Sequence, residues 1–156
     1  MTFEIRYVPP GWEHPRNKSG RFIPLWDGAL LKSETEDWDL GARRWEEGFR
    51  TGNGLEWVPH PPGDDGDYED WVGRARPNRK DYTPVFPEGT ATQVMLYENI
   101  TEGTPLSPGF ASLPDLAEWL AQADPEATLG RRATREQWLS FLEEMVKLDD
   151  PESPAP

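Results

Sequence analysis

The sequence predicts an α+β domain, with a small antiparallel sheet, about three helices packed on one face, and long Pro/Gly-rich loops. Three observations carry this. Two short stretches, 3–8 and 91–98, hold β-branched and aromatic residues in partial alternation, the pattern of strands. Three longer stretches repeat apolar residues at steps of three and four, the spacing of one helix face. Seventeen Pro and fourteen Gly punctuate the chain and keep each element short. The length of 156 residues suits one domain, taken as 1–148, with an acidic, Pro-rich tail at 149–156 expected to be disordered. Hydrophobic residues are only 35 % of the chain. Eight Trp, four Tyr and six Phe offset this, since each aromatic buries roughly 150–250 Å².

In chain order, Phe3, Ile5 and Tyr7 alternate with Glu4, Arg6 and Val8 in the first strand, which stops at Pro9-Pro10-Gly11. A loop with apolar anchors (Trp12, Phe22, Ile23, Leu25, Trp26) follows to Gly28. A helix is predicted over 35–49 from the stripe Trp38, Ala42, Trp45 and Phe49. Ser33 with Glu36 reads as its capping box, and Glu34, Glu36 and Asp37 sit where the helix dipole favours negative charge. Gly41 interrupts the stripe, and Gly52 and Gly54 end it. The stretch 58–89 reads as an ordered loop anchored by Trp71, Tyr82 and Phe86. The second strand, 91–98, is followed by a turn at Glu102-Gly103 and a short return at 104–107, held to an edge position by Pro105 and Pro108. Ser112 starts a helix that buries Leu113, Leu116, Ala117, Leu120 and Ala121, with Pro114 tolerated in its first turn. Thr134 and Gln137 form a capping box for the last helix, with Trp138, Phe141, Leu142, Met145 and Leu148 on its inner face.

The formal net charge of −13 disfavours nucleic acid and anionic membrane surfaces and favours basic partners. With no cysteine, disulfides, thiolate nucleophiles and Cys-ligated metals are excluded. No signal peptide is read at 1–10 and no apolar run approaches a membrane span, so a cytoplasmic location is expected. His14 and His60 lack partners at ligand spacing, so no metal or other cofactor is expected. The run 64–70 misses the calcium-loop register, because its glycine falls at position three and not six. No nucleophile elbow, P-loop or dinucleotide fingerprint is present, and binding is expected in place of catalysis.

Two sets of residues are candidates for that binding. One is acidic: Glu34, Glu36, Asp37 and Asp39 on the predicted helix, with Asp64, Asp65, Asp67 and Asp70 in the loop, facing a basic surface of a partner protein. The other lies beside the second strand: Tyr97, Glu98, Thr101, Glu102, Thr104 and Ser107 could hold a small ligand or serve a minor enzyme activity. Those hydroxyls can equally satisfy a turn and cap the following helix, which is the favoured reading. A structural virion component is a third function, and a homodimer stays open.

The segment Val8-Pro9-Pro10-Gly11-Trp12-Glu13-His14-Pro15, continuing to Pro24-Leu25-Trp26-Asp27-Gly28, resembles the start of small phage- and prophage-encoded proteins without an established activity. Tyr97-Glu98, then Glu102-Gly103-Thr104-Pro105-Leu106-Ser107-Pro108 and Phe110, is similar to their second signature. The likeness covers most of 8–146, while the acidic insert at 63–70 departs from it. It implies action inside an infected bacterium. By analogy with other small acidic phage proteins, it points to inhibition of a host defence or nucleic-acid enzyme.

Overall fold

The computed structural model describes residues 3–52, 56–60 and 66–149. Among them are β1 (Phe3–Val8), α1 (Leu31–Glu46), β2 (Phe49–Thr51), β3 (Trp57–Pro59), α2 (Tyr68–Val72), β4 (Gln93–Glu98), β5 (Thr104–Pro105), α3 (Leu113–Gln122) and α4 (Arg135–Asp149). This is an α+β chain with small antiparallel sheets. The chain divides into two compact units, one of 1–26 with 84–156 and the other of 27–83. The tail beyond 149 lies outside the described residues, as do Asp64 and Asp65.

In the larger unit β4 is central, antiparallel to β1 on one side and to β5 on the other. The register sets Phe3 opposite Glu98 and Val8 opposite Gln93. Alternation along the strands sends Ile5, Val94 and Leu96 to one face, where they pack with Leu116, Ala117 and Leu120 of α3. Trp138, Leu142 and Met145 of α4 complete that core, and Trp138 is fully buried. Both helices carry the predicted caps. The Ser112 hydroxyl accepts from Asp115 N at 3.2 Å, and Thr134 and Gln137 cap each other reciprocally.

The opposite face of the sheet is also buried, by coil in place of helix. Val8, Met95 and Tyr97 pack there with Trp12 and Phe86. A β-carbon at Gly103, whose φ is +108°, would strike the Leu25 carbonyl and the Arg6 guanidinium, so only glycine fits this approach. Gly103 O in turn accepts from Leu25 N at 2.9 Å, tying the coil to the β4–β5 turn.

In the smaller unit α1 starts earlier than its aromatic stripe suggests. A 3₁₀ turn over Gly28–Leu30, capped by Asp27, leads directly into it. Ser33 is therefore inside the helix, its hydroxyl donating back to Leu30 O at 3.1 Å, and the capping role predicted for it falls to Asp27. The helix ends at Glu46, so Phe49 leaves the stripe and pairs across from Pro59 in the β2–β3 ribbon. The stretch read as loop contains β3 and α2. A five-residue helix shows too little periodicity to be seen, and its signals are the Asp67 cap and Gly73 in the left-handed region at its end. Gly41, the weak point of the predicted stripe, has a packing purpose: a β-carbon there would fall on the Tyr68 hydroxyl of α2. Among the described residues no helix is long and apolar enough to cross a membrane.

Candidate functional site

The coil that covers the second sheet face is anchored by His14. Its Nε2 lies 2.5 Å from the Ile23 carbonyl, which can only accept, so Nε2 carries the proton. Nδ1 is then the acceptor for the Tyr97 hydroxyl at 2.9 Å. Burial lowers the His14 pKa most; the Ile23 carbonyl opposes this, and the charges of Arg6 and Arg16 lower it further. The imidazole is neutral and fully engaged, and it fixes the 12–23 segment to β4. Trp12 and Phe22 stand edge-on to it at 5.6 Å each.

Across from this coil the chain leaves β5 along β4 in an interrupted ladder. Leu106 N donates to Leu96 O at 2.7 Å, and Val94 and Phe110 exchange both backbone bonds. Between them Pro108 lacks a donor, and the Ser107 side chain fills the gap: its oxygen accepts from Leu96 N and its hydroxyl donates to Pro108 O, both at 2.9 Å. The bulge this produces forms one wall of a cleft of about 640 Å³. Trp12, Phe22 and Trp119 supply aromatic surface, and Pro105, Leu106 and Pro108 line it as well. Arg16 lies over the Phe22 ring at 3.9 Å, and exposed Glu13 adds an opposite charge. Residues 12–16 with Phe22 and residues 105–109 thus line one and the same concavity.

The polar residues proposed beside the second strand have other partners. Tyr97 and Ser107 are buried and bonded as described. Glu98 is buried with four donors on its carboxylate: Ile100 N at 2.7 Å, Thr101 N at 3.1 Å, and the hydroxyls of Thr101 and Thr104. Burial alone would raise its pKa, but the four hydrogen bonds together hold the carboxyl below its ordinary value. Glu102 is exposed with φ +73°, the left-handed corner of the turn. Of this set, only Ser107 lines the cleft.

The acidic candidates divide as well. Glu34 pairs with Arg74 at 3.2 Å, and Asp39 takes a two-pronged contact from Arg76 at 2.8 and 3.0 Å. Those Arg76 hydrogen bonds, the largest influence, hold the Asp39 carboxyl below its usual range. Glu36 reaches Lys32 at 4.0 Å, and Asp67 accepts from Asp70 N at 2.9 Å. Among the described residues, Asp37 and the Asp70 carboxylate have no ion pair. No group of three His, Asp or Glu is placed to hold a metal ion among the described residues. His60 stacks on Trp45 and bonds its carbonyl at 3.1 Å.

Sequence reasoning passed over Phe22 and Trp119 as ligand contacts, treating Phe22 as a loop anchor. The available signal for Phe22 was the crowding of aromatic and proline residues into 8–28, beyond what a turn needs; Trp119 read only as part of a helix. No family model, curated protein or solved structure matches this chain.

Proposed function

We propose that this chain works by binding, and that the cleft beside His14 receives an extended, proline-containing segment of a partner protein. The observation that carries this is the convergence of Trp12, Phe22 and Trp119 on one open concavity with a proline-rich lining. Aromatic-lined grooves suit extended proline segments, which present ring faces and need no backbone ladder. Strand addition on β5 fits less well: Leu106 N points to β4, so the outward donor would fall to Pro105, which has none. The chemistry of the cleft favours recognition over turnover, because His14 bonds Ile23 and Tyr97 while Ser107 bonds Pro108, and the two are not paired with each other. The resemblance to phage and prophage proteins supports a host bacterial protein as the partner, met in the cytoplasm.

A second reading retains the acidic surface, favoured by the carboxylates of Asp37 and Asp70, which have no ion pair among the described residues. Capture from host lysate with paired variants separates the two. Trp119→Ala and Leu106→Asp should lose a partner that Asp37→Asn and Asp70→Asn retain, with little salt dependence. The reverse pattern, with capture lost steeply as salt rises, would overturn the cleft assignment in favour of charge.

A further inference from the structure

We propose that the 27–83 unit carries a separate site for the guanidinium of an arginine side chain on a partner segment. The proposal does not rest on the cleft beside His14. A cavity of about 440 Å³ opens where α1 and α2 meet. Trp38 and Tyr68 form adjoining walls, their ring centres 5.2 Å apart and their planes 69° apart. Trp45 also lines it, stacked with His60 at 4.4 Å and with Trp71 at 5.4 Å. Both indole N–H groups are used, Trp38 on Arg74 O at 3.2 Å and Trp45 on Gly66 O at 3.3 Å. The walls thus offer ring surface and no competing indole donor.

Glu46, Asp67 and Glu69 line the same cavity, and among the described residues no Lys or Arg does. Glu46 and Glu69 have no side-chain hydrogen bond or ion pair among the described residues, so two carboxylates are free to accept. Gly41 is what lets Tyr68 lie down on α1 to form its wall. In the fold this glycine has no turn to make, and its other effect is to weaken the helix by about 1 kcal/mol relative to alanine.

The choice among cations follows from the walls. A quaternary ammonium wants ring faces on several sides and donates no hydrogen bond. Here Trp45 is already stacked with both His60 and Trp71. A lysine ammonium is compact and strongly hydrated, and gains little from a ring. A guanidinium is planar, stacks on a single aromatic face and donates a fork to carboxylates, which is what this cavity offers.

The test is a titration of the full chain with a blocked Gly-Arg-Gly peptide, followed by NMR of the indole N–H signals. The expected result is saturable shifts at Trp38 and Trp45, with Gly-Lys-Gly and its trimethyl-lysine form at least about tenfold weaker. Glu69→Gln should weaken binding several-fold. Tyr68→Ala should abolish it, Tyr68→Phe should keep it, and Trp119→Ala in the other unit should leave it unchanged. Equal shifts with arginine peptide, lysine peptide and added NaCl, or no saturation, would overturn the proposal. Tightest binding by the trimethyl-lysine peptide would overturn the choice of guanidinium, and free arginine binding as well as the peptide would overturn the partner segment as its source.

Discussion

Two polar-rich stretches of this chain look alike as text and differ in three dimensions. In the turn after β4 the polar groups face inward: the Glu98 carboxylate is buried under four donors, and Ser107 replaces a missing backbone contact. Along α1 they face outward, where Glu34 and Asp39 meet Arg74 and Arg76 at the surface. A carboxylate removed from water is costly to leave unbonded, so the first arrangement is a structural commitment. A carboxylate in solvent exchanges one hydrated state for another, and its pairs are weakly held. Composition counts the two alike; the environment ranks them.

The largest effect that would break this ranking belongs to Glu98. Glu98→Ala strands two amides and two hydroxyls in the turn, and should lower stability by about 3 kcal/mol, since hydrogen bonds to charged groups contribute ~1.5–3 kcal/mol. Urea unfolding followed by circular dichroism measures it, and a wild-type midpoint would place Glu98 among the dispensable charges. His14→Ala should follow at about 2 kcal/mol, because it removes a hydrogen bond to the Tyr97 hydroxyl and the donor to the Ile23 carbonyl together. It should also weaken whatever the cleft binds, since His14 holds the Trp12 and Phe22 walls in place.

How much of this was legible depended on how local the cause is. β1, β4, the short return strand, α3 and α4 could be read because caps and apolar spacing lie within a few residues of one another. The start of α1 was misread, since Ser33 with Glu36 imitates a capping box while Asp27 does the capping one 3₁₀ turn earlier. α2 was missed for its shortness. The cleft could not be read at all from local pattern. Its walls come from Trp12, Phe22 and Trp119, and they converge only because coil covers the sheet face that helices leave open. Gly41 read as a flaw in a helix, because its purpose, room for Tyr68, lies 27 positions along the chain.

Acid should sharpen the comparison in two steps. The His14 imidazole is held below its ordinary 6.5 in the folded state, so as pH falls past that value the unfolded chain takes the proton first and stability declines. The decline ends once the folded imidazole is itself protonated. The Glu98 carboxyl is held below its ordinary 4.5, so the contribution of its hydrogen bonds is present above that pH and is lost as pH falls further. Urea midpoints from pH 8 down to about pH 2 should therefore fall in two limbs, and His14→Ala should remove only the upper one. A single limb unchanged by His14→Ala would separate the buried histidine from the stability of this unit.

The smallest effect is expected at the best-formed surface pair. Arg76 grips Asp39 with two hydrogen bonds, a geometry that in a buried site would be among the strongest available. Both side chains are about half exposed, at 56 % and 49 %, so water competes for each and salt screens the attraction. A double-mutant cycle of Asp39→Asn with Arg76→Gln should return a coupling well below the loss expected for Glu98→Ala, shrinking further in 1 M NaCl. A coupling near that of Glu98 would mean that two-pronged geometry outweighs burial in this protein, and the ranking of the two polar stretches would have to be reversed.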